Sequence, residues 1–246
     1  MADRPRRPVR TAVVHDLLST ALVGHARGGE GLDVVDAGGG TGGVAVPLAE
    51  AGHRVTVVDP SPDALAALER RAAEAGVTDR VRAVQGEAAD LLDVVAAASA
   101  DAVLGHGVLE LVDDPAAAVR GMAAVLRPDG LASVLAAQRH AAVLSRAAAG
   151  HLLDARHALT DPDGRWGAAD PLPRRFDEAG LVALLASVGL EVREVHGVRV
   201  FTDLVPGTLV DEPGAADALL ELETAVASHP AFRSIAGQLH LLAVLG

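Results

Sequence analysis

The chain has 246 residues, half of them apolar, and 33 acidic against 21 basic side chains give a formal net charge of −12, so it can bury one sizeable core and has little charge for broad nonspecific nucleic-acid binding. It contains no cysteine, which excludes disulfides, thiolate nucleophiles and cysteine-ligated zinc. No apolar run approaches the roughly 18–20 residues of a membrane span, and the stretch after the basic N-terminus carries His15 and Asp16, too polar for a signal segment; the expectation is a cytoplasmic protein.

In chain order, residues 8–24 read as an N-terminal helix. Strands are expected at Leu32–Asp36, Val55–Asp59, Val81–Val84, Asp101–Gly105 and Leu131–Ala137, with Ala- and Leu-rich helices at 43–51, 62–76, 87–98 and 115–126 between them. Ser61-Pro62 and Asp114-Pro115 are helix-start signals, a capping side chain before a first-turn proline. Short strands separated by helices mean βαβ units and a parallel sheet with helices on both faces. The pattern breaks at 138–175, read as a helix at 140–158 followed by a Pro/Gly/Asp-rich loop. Phe176–Val188 and Leu190–Val200 read as helix and strand, 202–214 as a second excursion, 215–227 as a helix and Gln238–Leu245 as the final strand. The whole chain, 1–246, is one domain whose insertions 138–175 and 202–214 are placed to cover the mouth of the sheet.

The first strand ends in Asp36-Ala37-Gly38-Gly39-Gly40-Thr41-Gly42. Glycines there allow a sharp turn and close ligand approach, the following helix offers free N–H groups, and ligands of open α/β sheets lie beyond the carboxyl ends of the strands. Asp59, ending the second strand, suits a ribose diol. Gly38, Gly40 and Gly43 also satisfy the G-x-G-x-x-G spacing of dinucleotide sites, and a glycine turn can simply pack helix on strand.

Later residues favour S-adenosylmethionine. Asp36 to Gly42 resembles the first motif of class I S-adenosylmethionine-dependent methyltransferases, Asp59 their ribose-binding acid, Gly86-Glu87-Ala88-Ala89-Asp90 their adenine-flanking segment, and Asp101–Glu110 and Leu126–Gly130 their motifs around strands four and five. Gly107–Pro115, Gly197–Asp203 and Ala218–Thr224 resemble the bacterial tRNA 5-carboxymethoxyuridine methyltransferases, which methylate the carboxylate of a modified wobble uridine. The resemblance implies a Rossmann-like class I methyltransferase fold, α/β, with a seven-stranded, mostly parallel sheet whose last strand is antiparallel. It implies cofactor contacts at Arg10, Gly38, Gly39, Asp59, Ala88, Ala89 and His106. Asp36 and Gly40 join them as the acid that orders the loop and the loop's central glycine.

A carboxylate acceptor is ionised at neutral pH and needs no general base, but it needs a cation to hold it. Arg199, in Gly-Val-Arg-Val-Phe, is the candidate, since an arginine fork suits carboxylate; alternation along a strand would instead turn it outward between Val198 and Val200. Segment 139–175 holds six arginines against four aspartates, a local basic region suited to a specific RNA contact. Trp166 there either stacks on a base or anchors the segment. The acidic chain without lysine favours a small carboxylic acid as acceptor, the C-terminal motifs favour tRNA, and a third possibility is a cofactor-binding module without turnover. His151 and His157 are six residues apart and share no helix face, so no metal site is expected.

Overall fold

The computed structural model describes residues 9–25, 31–206, 208 and 212–246, with the backbone alone at residues 9 and 10. After α1 (Val9–His25), strands and helices alternate as β1 (Asp33–Ala37), α2 (Ala45–Glu50), β2 (Arg54–Asp59), α3 (Pro62–Glu74), β3 (Val81–Gln85), a 3-10 helix (Ala88–Asp93), β4 (Ala100–His106), α4 (Pro115–Val125) and β5 (Leu126–Ala137). Two helices, α5 (Arg139–Ala148) and α6 (Leu152–Thr160), precede α7 (Glu178–Ala186) and β6 (Leu190–Val198). The chain then forms α8 (Ala215–Val226), α9 (Pro230–Arg233) and β7 (Gln238–Leu245).

The strands make one seven-stranded sheet in the order β3-β2-β1-β4-β5-β7-β6. β1 to β5 pair in parallel, whereas β7 runs antiparallel to both β5 and β6. This is the expected sheet, and the strand order reverses between β1 and β4, so the loops after these two strands diverge and open a crevice at their carboxyl ends.

Both faces of the sheet are aliphatic. On one, Val35, Val58, Val103, Val134 and Leu241 pack against Met122 of α4 and Leu181 and Leu185 of α7. On the other, Val34, Val57, Leu104 and Leu242 pack against Leu18 and Leu22 of α1, Leu48 of α2 and Leu68 of α3. Each such buried side chain contributes about 1.5–3 kcal/mol, which is how a ring-poor chain still builds a core. The capping signals form as read: Ser61 Oγ accepts from the Ala64 N–H at 3.3 Å, and Asp114 Oδ1 from Ala116 and Ala117 at 2.8 and 3.0 Å.

Two helices differ from expectation. The segment 87–98 makes only a 3-10 helix because Asp90 leaves helical geometry (φ −115°, ψ 34°), and the N–H groups of Ala98 and Ser99 are diverted to the carbonyls of Ala124 and Val125 at the end of α4. The single helix read at 140–158 is two. Gly150 takes a left-handed conformation (φ 81°), and the N–H groups of Gly150 and His151 bond back to Ala147 and Arg146, the usual glycine stop of a helix. No helix among the described residues is long and apolar enough to cross a membrane.

Candidate active site

β1 runs into the glycine loop. The backbone turns at Gly38 (φ 71°) and at Gly42 (φ 78°), a region that side chains with a Cβ rarely enter. A Cβ at Gly38 would lie 2.4 Å from Val108 Cγ2, and one at Gly42 2.2 Å from Leu68 Cδ1. Gly43, the third glycine of the dinucleotide spacing, would meet only Arg71 Nη1 at 4.0 Å. The turn therefore reserves Gly42, and the spacing through Gly43 is coincidental.

The loop and the acid after β2 form one unit. The Gly38 N–H donates to the Val58 carbonyl at 2.7 Å and the Gly40 N–H to Asp59 Oδ2 at 2.9 Å. Asp59 Oδ1 accepts from the Ser61 N–H at 2.9 Å, so each carboxylate oxygen keeps a lone pair for a hydroxyl donor. Asp36 lies beneath the loop, 1% exposed, and its Oδ2 has no hydrogen-bond partner among the described residues. A Cβ on Gly39 would stand 2.4 Å from that oxygen. Burial, and then the negative charge of Asp59, pushes the Asp36 carboxyl up to about 7.

The remaining predicted contacts surround this unit. The Gly86 N–H donates to the Asp59 carbonyl at 3.3 Å, and Ala88 and Ala89 follow it at the start of the 3-10 helix. His106 ends β4, and burial pushes its imidazole down to about 4. The structure thus brings Asp36, Gly38, Gly39, Gly40, Asp59, Ala88, Ala89 and His106 to the carboxyl ends of β1–β4. Arg10 belongs to α1, but its side chain lies outside the described residues. An unpartnered buried acid under a loop that tolerates no Cβ, with a second acid offering two free lone pairs, fits a nucleoside-bearing cofactor.

Arg199 belongs to the other half of the sheet, and the strand expected to run through it to Val200 ends one residue before it. β6 stops at Val198, Arg199 turns to φ 59°, and Val198 and Val200 on either side are both buried. Glu223 of α8 causes the departure. Its carboxylate, 1% exposed, accepts from the N–H groups of Val200, Phe201 and Thr202 at 3.0, 2.9 and 2.8 Å and from Thr202 Oγ1 at 2.6 Å, so the chain is drawn off the strand path. Arg199 Nη2 donates to Asp203 Oδ1 at 2.8 Å, while its Nε is buried with no partner among the described residues.

Arg199 lines a cavity of about 720 Å³ together with Glu110, Gln138, Trp166, Arg175 and Leu204. Glu110 is 3% exposed; its Oε1 accepts from the Ala137 N–H at 2.7 Å and its Oε2 is unpartnered among the described residues. Burial pushes the Glu110 carboxyl up, opposed by backbone N–H groups and by the charge of Arg175. Gln138 donates through Nε2 to the Arg233 carbonyl at 2.7 Å and leaves Oε1 unpartnered. Sequence reasoning gave Glu110 no role and missed Gln138; its one signal was its place directly after β5.

The arginines of 139–175 are largely internal. Arg175 pairs with the fully covered carboxylate of Asp170 through bonds of 2.6 and 2.9 Å. Arg174 donates to the carbonyls of Leu109, Val112 and Asp113, and Arg139 to those of Asp161 and Pro162. The Arg146 guanidinium lies 3.5 Å from the centroid of the Trp166 ring. Three of the six arginines make contacts within the segment and Arg174 ties it to the loop after β4, so most of the basic region read from composition is engaged within the protein, and Arg146 covers one face of the Trp166 ring.

Comparison with known proteins agrees with this geometry. A family profile described as a methyltransferase domain matches residues 35–134, the span from the glycine loop to β5. A geranyl diphosphate C-methyltransferase from Streptomyces coelicolor A3(2), solved with Mg2+, geranyl diphosphate and S-adenosyl-L-homocysteine, shares the fold at 17% identity, with a TM-score of 0.62 covering 100% of this chain and 86% of that one. The chain belongs to the class I S-adenosylmethionine-dependent methyltransferases, and S-adenosylmethionine is its cofactor. Within that class it is similar to the tRNA 5-carboxymethoxyuridine methyltransferase of Escherichia coli (strain K12), 30% identical over 216 residues that span 88% of this chain and 81% of the relative. It is also similar to a ubiquinone biosynthesis O-methyltransferase from Azorhizobium caulinodans, 32% identical over 201 residues, 78% of this chain and 72% of the relative. The protein is an enzyme of methyl transfer.

Proposed function

We propose that the enzyme methylates a carboxylate oxygen, and that the acceptor is 5-carboxymethoxyuridine in tRNA. The observation that carries the reading is Arg199 at the wall of the 720 Å³ cavity, at the start of the turn that Glu223 gathers and with a buried Nε that has no partner among the described residues. The name of the E. coli relative supports the tRNA acceptor, and a tRNA acceptor would place the enzyme in the cytoplasm. A free small acid is the second reading, favoured by the internal arginines of 139–175 and by the small-molecule names among the relatives.

Bound S-adenosylmethionine supplies a methyl group made electrophilic by the sulfonium, and Gly38, Gly39, Gly40, Asp59, Ala88, Ala89, His106 and Arg10 are the residues that would hold it, with Asp36 ordering the loop. Arg199 orients the acceptor carboxylate through charge-assisted hydrogen bonds. The acceptor arrives ionised, so no residue need take a proton, and the task of the protein is alignment and exclusion of water. Segments 138–175 and 202–214 would act as the lid over the acceptor; residues 207 and 209–211 of the second lie outside the described residues.

Labelled S-adenosylmethionine incubated with tRNA bearing 5-carboxymethoxyuridine, and separately with small carboxylic acids, tests the reading. Base-labile label in the tRNA is the expected result; label in a small acid alone selects the second reading, and label in neither refutes both. Arg199→Ala is expected to lower kcat/KM about 100-fold while calorimetry with S-adenosylhomocysteine shows unchanged affinity.

A further inference from the structure

A line of buried polar groups crosses the sheet behind the cofactor-side residues. His106 Nε2 at the end of β4 lies 2.8 Å from Ser133 Oγ of β5, and the same oxygen lies 2.8 Å from His240 Nε2 of β7. Ser133 and His240 are completely buried. The His196 ring of β6 stacks on His240 at 5.8 Å, and its own Nε2 meets Glu194 at 3.2 Å. A hydroxyl between two imidazole nitrogens has one proton to give, so the protonation of the two rings is coupled.

Four arrangements are open to neutral rings, and the two that put the His240 proton on Nδ1 fail for the same reason. If both Nε2 atoms carried protons, the Ser133 hydroxyl hydrogen would be left without an acceptor. If His106 carried its proton on Nε2 and Ser133 donated onward to His240, then His240 would carry its proton on Nδ1, an atom that is buried with no partner among the described residues. A buried N–H without an acceptor is among the rarest and costliest arrangements in folded proteins. In the one that remains, His240 donates from Nε2 to Ser133, Ser133 donates to His106 Nε2, and the His106 proton sits on Nδ1, on a partly exposed ring at the mouth of the sheet. Only a bare nitrogen is then left unpaired in the interior.

We propose that Ser133 and His240 are positioning residues that fix His106 in the tautomer protonated on Nδ1, so that His106 meets the cleft as a hydrogen-bond donor and never as a general base. The inference rests on the cleft being the methyl-transfer centre, and it deepens that reading. With His106 unable to take a proton, the site suits an acceptor that arrives ionised, a carboxylate, over a phenol that must be deprotonated first. Burial holds all three imidazoles below their ordinary range, reinforced at His240 by His106 and His196; the rings are neutral at physiological pH, and the choice among tautomers is the one that matters.

Long-range proton–nitrogen NMR correlations on the unliganded protein, labelled at histidine, read the tautomers directly. The expected pattern is a protonated Nδ1 and bare Nε2 for His106, with the reverse for His240; a His106 protonated at Nε2 overturns the proposal. Ser133→Ala is expected to mix the His106 tautomers and to weaken S-adenosylhomocysteine about fivefold. His240→Gln, which still presents an N–H to Ser133, is expected to retain the wild-type His106 pattern, and His240→Leu to lose it. An unchanged His106 pattern in both Ser133→Ala and His240→Leu would make the line mere packing and refute the assignment. The spectra need no acceptor, so failure of the tRNA or small-acid assay leaves them readable, and their failure leaves the assay standing.

Discussion

On the β1–β4 side of the sheet, the loops at the mouth are shaped by backbone. Gly38 and Gly42 turn where no other residue fits, and Asp59 is tied to the loop through the N–H groups of Gly40 and Ser61. On the β5–β7 side, the corresponding loops are shaped by side chains: Glu223 gathers the turn after β6, Arg175 and Asp170 staple the segment before α7, and Arg174 ties it to the loop after β4. The one tryptophan and three phenylalanines of the chain, Trp166, Phe176, Phe201 and Phe232, all fall on this second side. The difference follows from what each half receives. Under the proposed function, a cofactor that never changes is met by fixed backbone, while the acceptor is met by a surface of charged and aromatic side chains that substitution can retune without touching the sheet.

Substitutions test this division by asking whether damage stays on its own side. The largest effect is expected at Asp36. Its folded value near 7 lies above the ~3.9 of an unfolded aspartate. Its contribution is fully present below about pH 4 and is lost as pH rises toward 7, by roughly 4 kcal/mol at most. Asp36→Asn should flatten that fall, read from urea midpoints across the same pH span, while weakening S-adenosylhomocysteine binding.

Asp170→Asn comes next. Leaving Arg175 buried without its partner is expected to cost about 3 kcal/mol at neutral pH in urea unfolding, with cofactor affinity unchanged. Asp170 would be raised by its burial, but Arg175 and the N–H groups of Trp166 and Leu172 outweigh this and hold it low. The stabilisation is therefore present above the unfolded value and lost as pH falls through the folded one, an acid-side loss that the Asn variant should no longer show. A cofactor affinity that collapsed in this variant would break the division between the two halves.

Glu223→Gln, which keeps the shape and removes the charge from four hydrogen bonds, is expected to cost about 2 kcal/mol and to lower kcat/KM by releasing Arg199, again with S-adenosylhomocysteine affinity intact. The smallest effect belongs to Arg146→Ala. Loss of its stacking on Trp166 is worth about 0.5–1 kcal/mol, and it should appear as a modest rise in the acceptor KM with kcat and cofactor affinity unchanged.

The backbone-built half was the legible half. Apolar runs and glycines announced β1, β2 and β4, the Ser61 and Asp114 caps formed as read, and β7 occupies the residues assigned to it. Where local signals were weak, the reading failed: Gly150 looked tolerable inside a helix and instead ends it, and Asp90 breaks a run that composition alone called helical. Glu110 and Glu223 were given no chemistry from the sequence because their burial comes from elements distant in the chain.

By itself the sequence determined the sheet, its strand positions and the cofactor loop, because hydrophobic period, glycine spacing and helix caps act over a few neighbouring residues. Only the tertiary structure decided that Gly42 and not Gly43 is the reserved position, that Arg199 leaves the strand to enter a cavity, that four of the six arginines of 139–175 are engaged by groups of the protein, and that His106 shares a hydroxyl with His240. Apart from the Arg175–Asp170 pair, whose partners are close in the chain, each of these depends on groups about 20 or more residues away, such as Leu68 for Gly42, Glu223 for the residues after Arg199, and His240 for His106. Side-chain partnership at that range is set by where the sheet brings strands together, and no local pattern records it.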